Sequence, residues 1–259
     1  MASIGIGAIY SPLAFGIIFL LLSIAGVWEF LRLARPGIKL AAAMPVLISG
    51  IVIYLIITLY SLTHLEAKYL WLILPLLVFQ LSIQVFYGKQ EALTHMVIGI
   101  AAIAGVVIPL AVLNIYLNPL SIPEYHTAWF VLGMFVILWT HDTFAYLTGS
   151  FFGKHPLYKA LSPKKTWEGS IGGLGFALIA AYIISIFSPE MEAWHWFSIA
   201  VIISVFGTIG DLAESLLKRS ANVKDSGKLL PGHGGILDRF DSVLFVSPVV
   251  LTIILLFSS

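Results

Sequence analysis

Long apolar stretches alternate with short polar linkers along most of the chain. A helix that crosses a membrane needs about 20 mostly apolar residues. We therefore expect an all-α fold, a polytopic integral membrane protein with about eight transmembrane helices. The predicted spans lie near residues 12–33, 40–62, 69–87, 94–117, 127–149, 169–187, 196–217 and 238–257.

The composition supports this reading and narrows the possible chemistry. Hydrophobic residues make up 59% of the 259 residues and charged residues only 10%, whereas soluble domains carry about 25% charged residues. The net charge of +1 provides no bulk field of the kind that marks a nucleic-acid-binding protein. The chain has no cysteine, so a bound metal must be held by carboxylates, histidines or backbone oxygens.

Lysine and arginine are distributed unevenly among the linkers. Of the 14 such residues, 13 lie in the first, third, fifth and seventh linkers or at the start of the last span, and only Lys68 lies in an even-numbered linker. The positive-inside rule then places the odd linkers in the cytoplasm and both termini outside. We expect a multi-pass protein of the inner, cytoplasmic membrane, with two long cytoplasmic loops at 150–168 and 218–237.

Six charged residues interrupt the predicted spans in the second half of the chain. Charges inside a membrane are costly, so each marks a candidate functional position. Two pairs of carboxylates are three residues apart, which places each pair on one face of its helix. The six are Asp142 in the fifth span, Asp211 and Glu214 in the seventh, and Asp238, Arg239 and Asp241 in the eighth.

Two helices that each present a pair of carboxylates could together hold a divalent cation. Oxygen ligands suit Mg²⁺ or Mn²⁺ rather than a soft metal. The alternative is that these charges only neutralise one another, with Arg239 paired to Asp211 and Lys218 paired to Glu214.

The two long loops have phosphate-binding character. Residues 162–169, SPKKTWEG, combine two lysines with the hydroxyls of Ser162 and Thr166. In the second loop, glycines around His233 would let backbone N–H groups turn toward an anion ahead of a helix N-terminus. Alternatively, basic loops at a membrane surface act as topology signals or contact anionic lipids. Gly169 and Gly173 form a GxxxG pattern that predicts close helix packing.

The order of these motifs resembles a known family. Residues 215–241, SLLKRSANVKDSGKLLPGHGGILDRFD, closely resemble the signature of phosphatidate cytidylyltransferases, which are also called CDP-diacylglycerol synthases. The segment SPKKTWEG and the WxxDTxAY pattern at 139–146 match as well, so the resemblance covers at least residues 139–248. It implies an Mg²⁺-dependent enzyme, often K⁺-responsive and dimeric, that transfers CMP from CTP to phosphatidate and releases pyrophosphate.

The resemblance and the residues together give each candidate a role. Asp211 and Asp238 are the expected metal ligands, with Asp241, Glu214 and Asp142 close to the metal or the substrates. Nucleotide phosphates would bind Ser162, Lys164, Lys165 and Thr166. Charge on phosphatidate or pyrophosphate would be neutralised by Lys218, Arg219, Lys224 and Arg239, and His233 would contact the leaving pyrophosphate. Asp225, Gly234 and Gly235 complete the expected substrate-binding loop.

The chain is expected to divide into a membrane scaffold at residues 1–120, with a lipid-facing or dimer-forming role, and a catalytic region at 121–259. Two other function classes remain open. One is a CTP-dependent enzyme acting on another lipid, either an ether-lipid cytidylyltransferase or a polyprenol kinase. The other is an ion-coupled secondary transporter, although transporters commonly show internal repeats and this chain shows none.

Overall fold

The structure is a computed structural model that describes residues 11–63, 65–87, 92–117, 127–188, 191–227 and 234–257. The predicted all-α architecture is confirmed over these ranges. The helices are α1 (Pro12–Ala34), α2 (Leu40–Thr63), α3 (Ile73–Tyr87), α4 (Ala92–Ile115), α5 (Thr127–Phe152), α6 (Trp167–Phe187), α7 (Ala193–Ser220) and α8 (Leu237–Phe257).

Among the described residues, seven helices are long and apolar enough to cross a membrane, all except α3. The predicted third span is a composite of a 3₁₀ turn at Ala67–Leu72 and the shorter α3. Gln80 of α3 is fully buried, lies 3.4 Å from Ser49 Oγ of α2, and fills the space above Gly99 of α4. The segment therefore packs against the middle of both neighbouring helices. The count of eight spans stays a prediction.

Two of the long helices are interrupted by a π turn, α4 at Ile103–Val107 and α7 at Ile203–Gly207. A π turn widens the helical repeat locally, so residues beyond it face a different direction than an unbroken α-helix would give them. Asp211 follows the π turn of α7 by one turn. The local widening thus helps to set the direction in which Asp211 and Glu214 point.

A small β-hairpin occupies most of the loop predicted at 150–168. Its strands are β1 (Pro156–Tyr158) and β2 (Ser162–Thr166), paired antiparallel with Tyr158 opposite Ser162. Glu168 in the first turn of α6 lies 2.6 Å from Nδ1 of His155, which ties the base of the hairpin to the helix. The hairpin therefore has a fixed place at the end of α5 and α6.

Glycines allow α5 and α6 to pack closely. A Cβ atom at Gly169 would lie 2.7 Å from the carbonyl oxygen of Ala145, and one at Gly173 would lie 2.9 Å from that of His141. Small residues at such contacts let two membrane helices approach one another. The close packing predicted from the GxxxG pattern is confirmed, and it sets the position of the hairpin between these helices.

Helices from both halves of the chain share one buried apolar core. In this core, two hydrogen bonds join the last helix to α4 and to Tyr116, which directly follows α4. Ser247 Oγ donates to the carbonyl oxygen of Pro109 at 2.8 Å, and the hydroxyl of Tyr116 donates to the carbonyl oxygen of Ser247. The first-half helices are therefore part of the structure that supports the C-terminal motifs.

Candidate active site

A polar cavity of about 680 Å³ opens between α5, the hairpin, α6 and α7. Its wall brings together residues that are far apart in the sequence, because the hairpin folds back across the ends of α5 and α6. Six of the predicted site residues line it: Asp142, Ser162, Lys164, Lys165, Thr166 and Asp211.

Asp211 is held in this wall from two sides. The ammonium group of Lys165, on β2, forms an ion pair with Oδ2 of Asp211. Ser242 of α8 donates its hydroxyl to Oδ1 of the same carboxylate at 2.8 Å. Lys165 therefore joins the predicted phosphate loop to the predicted metal ligand, whereas the sequence offered Arg239 as the partner of Asp211.

Lys218 links the carboxylates of α7 and α8. Its ammonium nitrogen lies 2.7 Å from Oε2 of Glu214 and 2.8 Å from Oδ1 of Asp238. All three side chains are largely buried, with exposed fractions of 17%, 9% and 12% respectively. The predicted pairing of Lys218 with Glu214 is confirmed, and Asp238 is a second partner.

The other oxygen of Asp238 organises the loop before α8. Asp238 Oδ2 accepts hydrogen bonds from the backbone N–H of Ser226 at 2.9 Å, from the Ser226 hydroxyl at 2.8 Å and from the backbone N–H of Gly235 at 2.8 Å. Gly234 adopts a positive φ of 80° beside this carboxylate. The N–H group of Gly235, which was expected to face a phosphate, thus donates to Asp238.

The carboxylates of α7 and α8 form two neighbouring pairs, Asp211 with Asp241 and Glu214 with Asp238. Their oxygen donors suit a hard divalent cation. Among the described residues no three histidine or carboxylate side chains form a metal-binding group. Mg²⁺ in proteins is usually bound by one or two carboxylates together with substrate phosphates. The residues therefore fit a cation that is held jointly with a substrate.

A second, apolar cavity of about 550 Å³ lies between α1, α4, α7 and α8. Its wall is formed mainly by aliphatic and aromatic side chains, among them Phe30, Leu217, Leu244 and Phe245. The carboxylates of Glu214 and Asp241 also line it. Since Asp211 lines the polar cavity and lies beside Asp241, the acidic residues stand between the two cavities.

The remaining predicted site residues lie on the surface or outside the described ranges. Arg219 at the end of α7, Lys224 and Asp225 in the following loop, and Arg239 in the first turn of α8 are exposed. His233 lies outside the described residues, so its predicted role stays a prediction.

Several residues at the site were not predicted from the sequence. Glu29 of α1, Ser226 and Ser242 contact the carboxylates or the loop that holds them. His141 of α5 lies with its Nδ1 atom 3.2 Å from Oδ1 of Asp142. Glu29 carried a usable signal, because it is a single carboxylate within an apolar span. The serines carried none, since serine is common in membrane helices and loops.

Comparison with known proteins places the chain in a family. The cytidylyltransferase family matches residues 1–257. A phosphatidate cytidylyltransferase of Staphylococcus aureus is 50% identical over 122 residues, 47% of each chain. Enzymes of the same name from Staphylococcus saprophyticus and Staphylococcus epidermidis are 48% and 45% identical over the same share. The match thus spans about half the length of these curated relatives. Because the family match extends over nearly the whole sequence, this chain belongs to the cytidylyltransferase family.

Proposed function

We propose that the protein transfers CMP from CTP to phosphatidate, giving CDP-diacylglycerol and pyrophosphate. The observation that carries this proposal is that neighbouring carboxylates line two different cavities, Asp211 a polar cavity with lysines and Glu214 and Asp241 an apolar cavity between helices. One substrate of this reaction is a water-soluble triphosphate and the other is a lipid, so the reaction needs these two environments side by side. The names of the relatives point to the same reaction.

The polar cavity suits the triphosphate of CTP. Ser162, Lys164, Lys165 and Thr166 offer hydroxyl donors and cations on one short hairpin strand. Lys165 already contacts an anionic group, the carboxylate of Asp211, and a phosphate oxygen is a chemically similar partner. We assign the nucleotide phosphates to this strand, with Asp142 of α5 in the wall of the same cavity.

The apolar cavity suits the acyl chains of phosphatidate. Its walls come from four helices, and its polar side chains are those of Glu214, Ser220 and Asp241. A lipid bound there would place its phosphate next to the acidic residues and keep its chains among apolar side chains. Lys218, which lies between Glu214 and Asp238, would then offset part of the negative charge of the lipid phosphate.

The chemistry requires positioning more than proton abstraction. An oxygen of the phosphatidate phosphomonoester, whose second pKa is near 6, attacks the α-phosphorus of CTP. The bond between that phosphorus and the oxygen bridging to the β-phosphorus breaks, and pyrophosphate leaves with the bonding electrons. The lysines hold the phosphates in line and neutralise their charge, which is the main requirement of phosphoryl-type transfer.

A divalent cation, Mg²⁺ or Mn²⁺, would supply the remaining charge stabilisation when bound. Asp211 and Asp238 are the ligands we propose, with Asp241 and Glu214 adjacent to them, and K⁺ is a candidate second cation. We further propose that the site faces the cytoplasm at the inner membrane, where CTP is available, and that the protein acts as a homodimer.

The test uses protein purified in detergent, with CTP, phosphatidate and Mg²⁺, and follows pyrophosphate release. Asp211→Asn and Asp238→Asn should each reduce turnover by about a hundred- to a thousandfold if both residues hold the cation, because removing a charge-stabilising group in such a site costs roughly 3–4 kcal/mol. Glu66→Gln is the control, since Glu66 is 69% exposed and its partner is Lys68. Near-normal turnover in either aspartate variant contradicts the metal assignment.

The same assay separates the competing functions. An ether-lipid cytidylyltransferase would release pyrophosphate only with the ether-linked acceptor, and a polyprenol kinase would release CDP in place of pyrophosphate. Proton-dependent uptake into vesicles without CTP turnover would instead indicate a transporter.

A further inference from the structure

Glu29 is a buried carboxylate contributed to the site region by the first helix. Only 5% of the residue is exposed. Its Oε2 atom accepts hydrogen bonds from the Ser226 hydroxyl at 3.2 Å and from the backbone N–H of Leu237 at 3.1 Å. Ser226 lies in the loop after α7, and Leu237 begins α8. One side chain of α1 therefore contacts both the segment that follows α7 and the first residue of α8.

Ser226 connects Glu29 to Asp238. The Ser226 hydroxyl oxygen lies 3.2 Å from Glu29 Oε2 and 2.8 Å from Asp238 Oδ2, and the Ser226 N–H donates to the same Asp238 oxygen. The Ser226 hydroxyl carries one proton, so it shares that proton between the two carboxylates or donates to one of them at a time by rotating. A displacement at Glu29 is therefore passed to the Asp238 carboxylate through a single residue.

Two glycines make room for the Glu29 carboxylate. A Cβ atom at Gly235 would lie 2.5 Å from Glu29 Oε2, and one at Gly227 would lie 2.8 Å from Glu29 Cδ. The backbone of the loop thus packs directly on the carboxylate, and a small displacement of either one would displace the other.

The burial of Glu29 is unfavourable by itself. Glu29 Oε1 has no hydrogen-bond partner among the described residues, and a buried polar atom without a partner destabilises the folded state. An apolar side chain would fill this place without that cost. Departures of this kind from good packing are expected at functional positions.

We propose that Glu29 is a positioning residue, which fixes the loop at 221–227 and the first turn of α8 so that the Asp238 carboxylate keeps its orientation for CMP transfer. The inference rests on the proposed function of Asp238. Glu29 acts through Ser226 and Leu237 and is not placed in contact with a substrate.

The kinetic test compares Glu29→Ala, Glu29→Gln, Ser226→Ala and the Glu29→Ala/Ser226→Ala double variant, with Glu66→Gln as the exposed control. We expect Glu29→Ala to lower kcat by about tenfold or more, because a hydrogen bond to a charged group contributes about 1.5–3 kcal/mol. The KM for CTP should change by less than about threefold, because the polar cavity lies on other elements. Glu29→Gln should recover part of kcat, since its amide oxygen still accepts hydrogen bonds.

The double variant tests the route through Ser226. Two changes that break one chain of contacts are not additive. We expect the double variant to be at most about threefold slower than Glu29→Ala alone, whereas fully multiplied effects would show that Glu29 and Ser226 act independently and would overturn the route.

A second measurement needs no substrate. Amide hydrogen exchange in detergent should become faster by about tenfold or more at residues 221–227 and in the first turn of α8 in Glu29→Ala, and stay unchanged in the hairpin at 156–166. Where Glu29→Ala loosens the whole chain, Ser226→Ala decides the question. Wild-type kcat or unchanged exchange at residues 221–227 in Ser226→Ala then overturns the proposal. If the wild-type protein does not transfer CMP, the proposed function is contradicted instead. The exchange measurement then tests only whether Glu29 holds the loop at 221–227 and the first turn of α8.

Discussion

Lys165 and Lys218 hold the acidic residues of the site in different ways. Lys165 lies on the hairpin, lines the polar cavity and contacts Asp211. Lys218 is more deeply buried and joins α7 to α8 through Glu214 and Asp238. A phosphate that enters the polar cavity can take the place of Asp211 at Lys165 without separating helices. Exchange at Lys218 would instead break a contact between two helices.

Lys165→Ala is therefore expected to weaken nucleotide binding. The KM for CTP should rise by roughly tenfold or more, because a hydrogen bond to a charged group contributes about 1.5–3 kcal/mol. Steady-state kinetics with varied CTP at saturating phosphatidate measure this change. Lys159→Ala is the matched control, since Lys159 is an exposed lysine in the turn of the same hairpin. A Lys165→Ala enzyme with unchanged KM and kcat would remove this lysine from the site.

The sequence predicts the helix faces of single residues well but not their partners across the fold. The spacing of Glu214 and Lys218 by one helical turn predicts their ion pair, and the structure contains it. The contact of Lys165 with Asp211 joins positions 46 residues apart, which no local pattern specifies. Glu29 could have been found by the rule that flagged the other intramembrane charges.

The contact between α5 and α6 determines where the hairpin lies. Gly173 of α6 packs against the backbone of His141, and Gly149 of α5 packs near Thr166 at the end of β2. Thr166 is also the N-cap of α6, accepting a hydrogen bond from the backbone N–H of Gly169 at 3.1 Å. The polar cavity therefore depends on the separation of these two helices.

Gly173→Ala should destabilise the protein, while Gly175→Ala should not. A Cβ atom at Gly173 would lie 2.9 Å from atoms of Ala145 and His141, whereas one at Gly175 would meet nothing within 4 Å. Overpacking of this kind costs about 1–3 kcal/mol, and alanine at an open helical position is neutral or slightly stabilising. Thermal unfolding midpoints in detergent measure both variants. Equal midpoints would show that the helices separate freely at this contact.

Helix positions could be predicted from the sequence, while irregular backbone could not. The predicted spans at 127–149 and 169–187 lie within α5 and α6, because apolar length is a strong signal. The hairpin strands are only three and five residues long and polar, so they read as a loop. The π turns at 103–107 and 203–207 lie within continuous apolar stretches, so the sequence pattern does not distinguish them from the α-helix around them.

The contact between Glu29 and Ser226 constrains the topology of the whole chain. Glu29 lies near the end of α1, so the loop at 35–39 and the loop at 221–227 must lie on one side of the membrane. Among the described residues, six helical segments separate these loops when the composite segment at 67–87 is included. An even number of crossings returns the chain to the same side. Without that segment the number would be five. The geometry therefore favours a crossing at 67–87.

Single-cysteine labelling measures this topology directly, because the chain contains no cysteine of its own. Glu66→Cys and Lys159→Cys should react with a membrane-impermeant maleimide from opposite sides, and Lys39→Cys should react from the same side as Lys159→Cys. Intact cells and inverted vesicles provide the two sides. Reaction of Glu66→Cys and Lys159→Cys from one side would show that residues 67–87 do not cross.

Both halves of the chain contribute residues to the candidate site, although the recognised motifs lie in the second half. The motifs that carry the resemblance in the sequence lie within residues 139–248, and the first half was expected to be a scaffold. In the structure, α1 and α4 line the apolar cavity through Phe30, Ala101 and Val106. Apolar residues on these helices could not be assigned to a cavity from the sequence, because a cavity wall and a packed core have the same composition.

Under the proposed function, the apolar cavity between α1, α4, α7 and α8 has a consequence for how the protein would meet its two substrates. Phosphatidate would be drawn from the plane of the bilayer while CTP would be drawn from solution. Encounter with the lipid then depends on its mole fraction among surrounding lipids, not on its amount per volume of water. Diluting the membrane with inert lipid would therefore slow the reaction at constant total phosphatidate. Growth of the membrane dilutes phosphatidate in the same way, so it would itself control the rate at which this lipid precursor is activated.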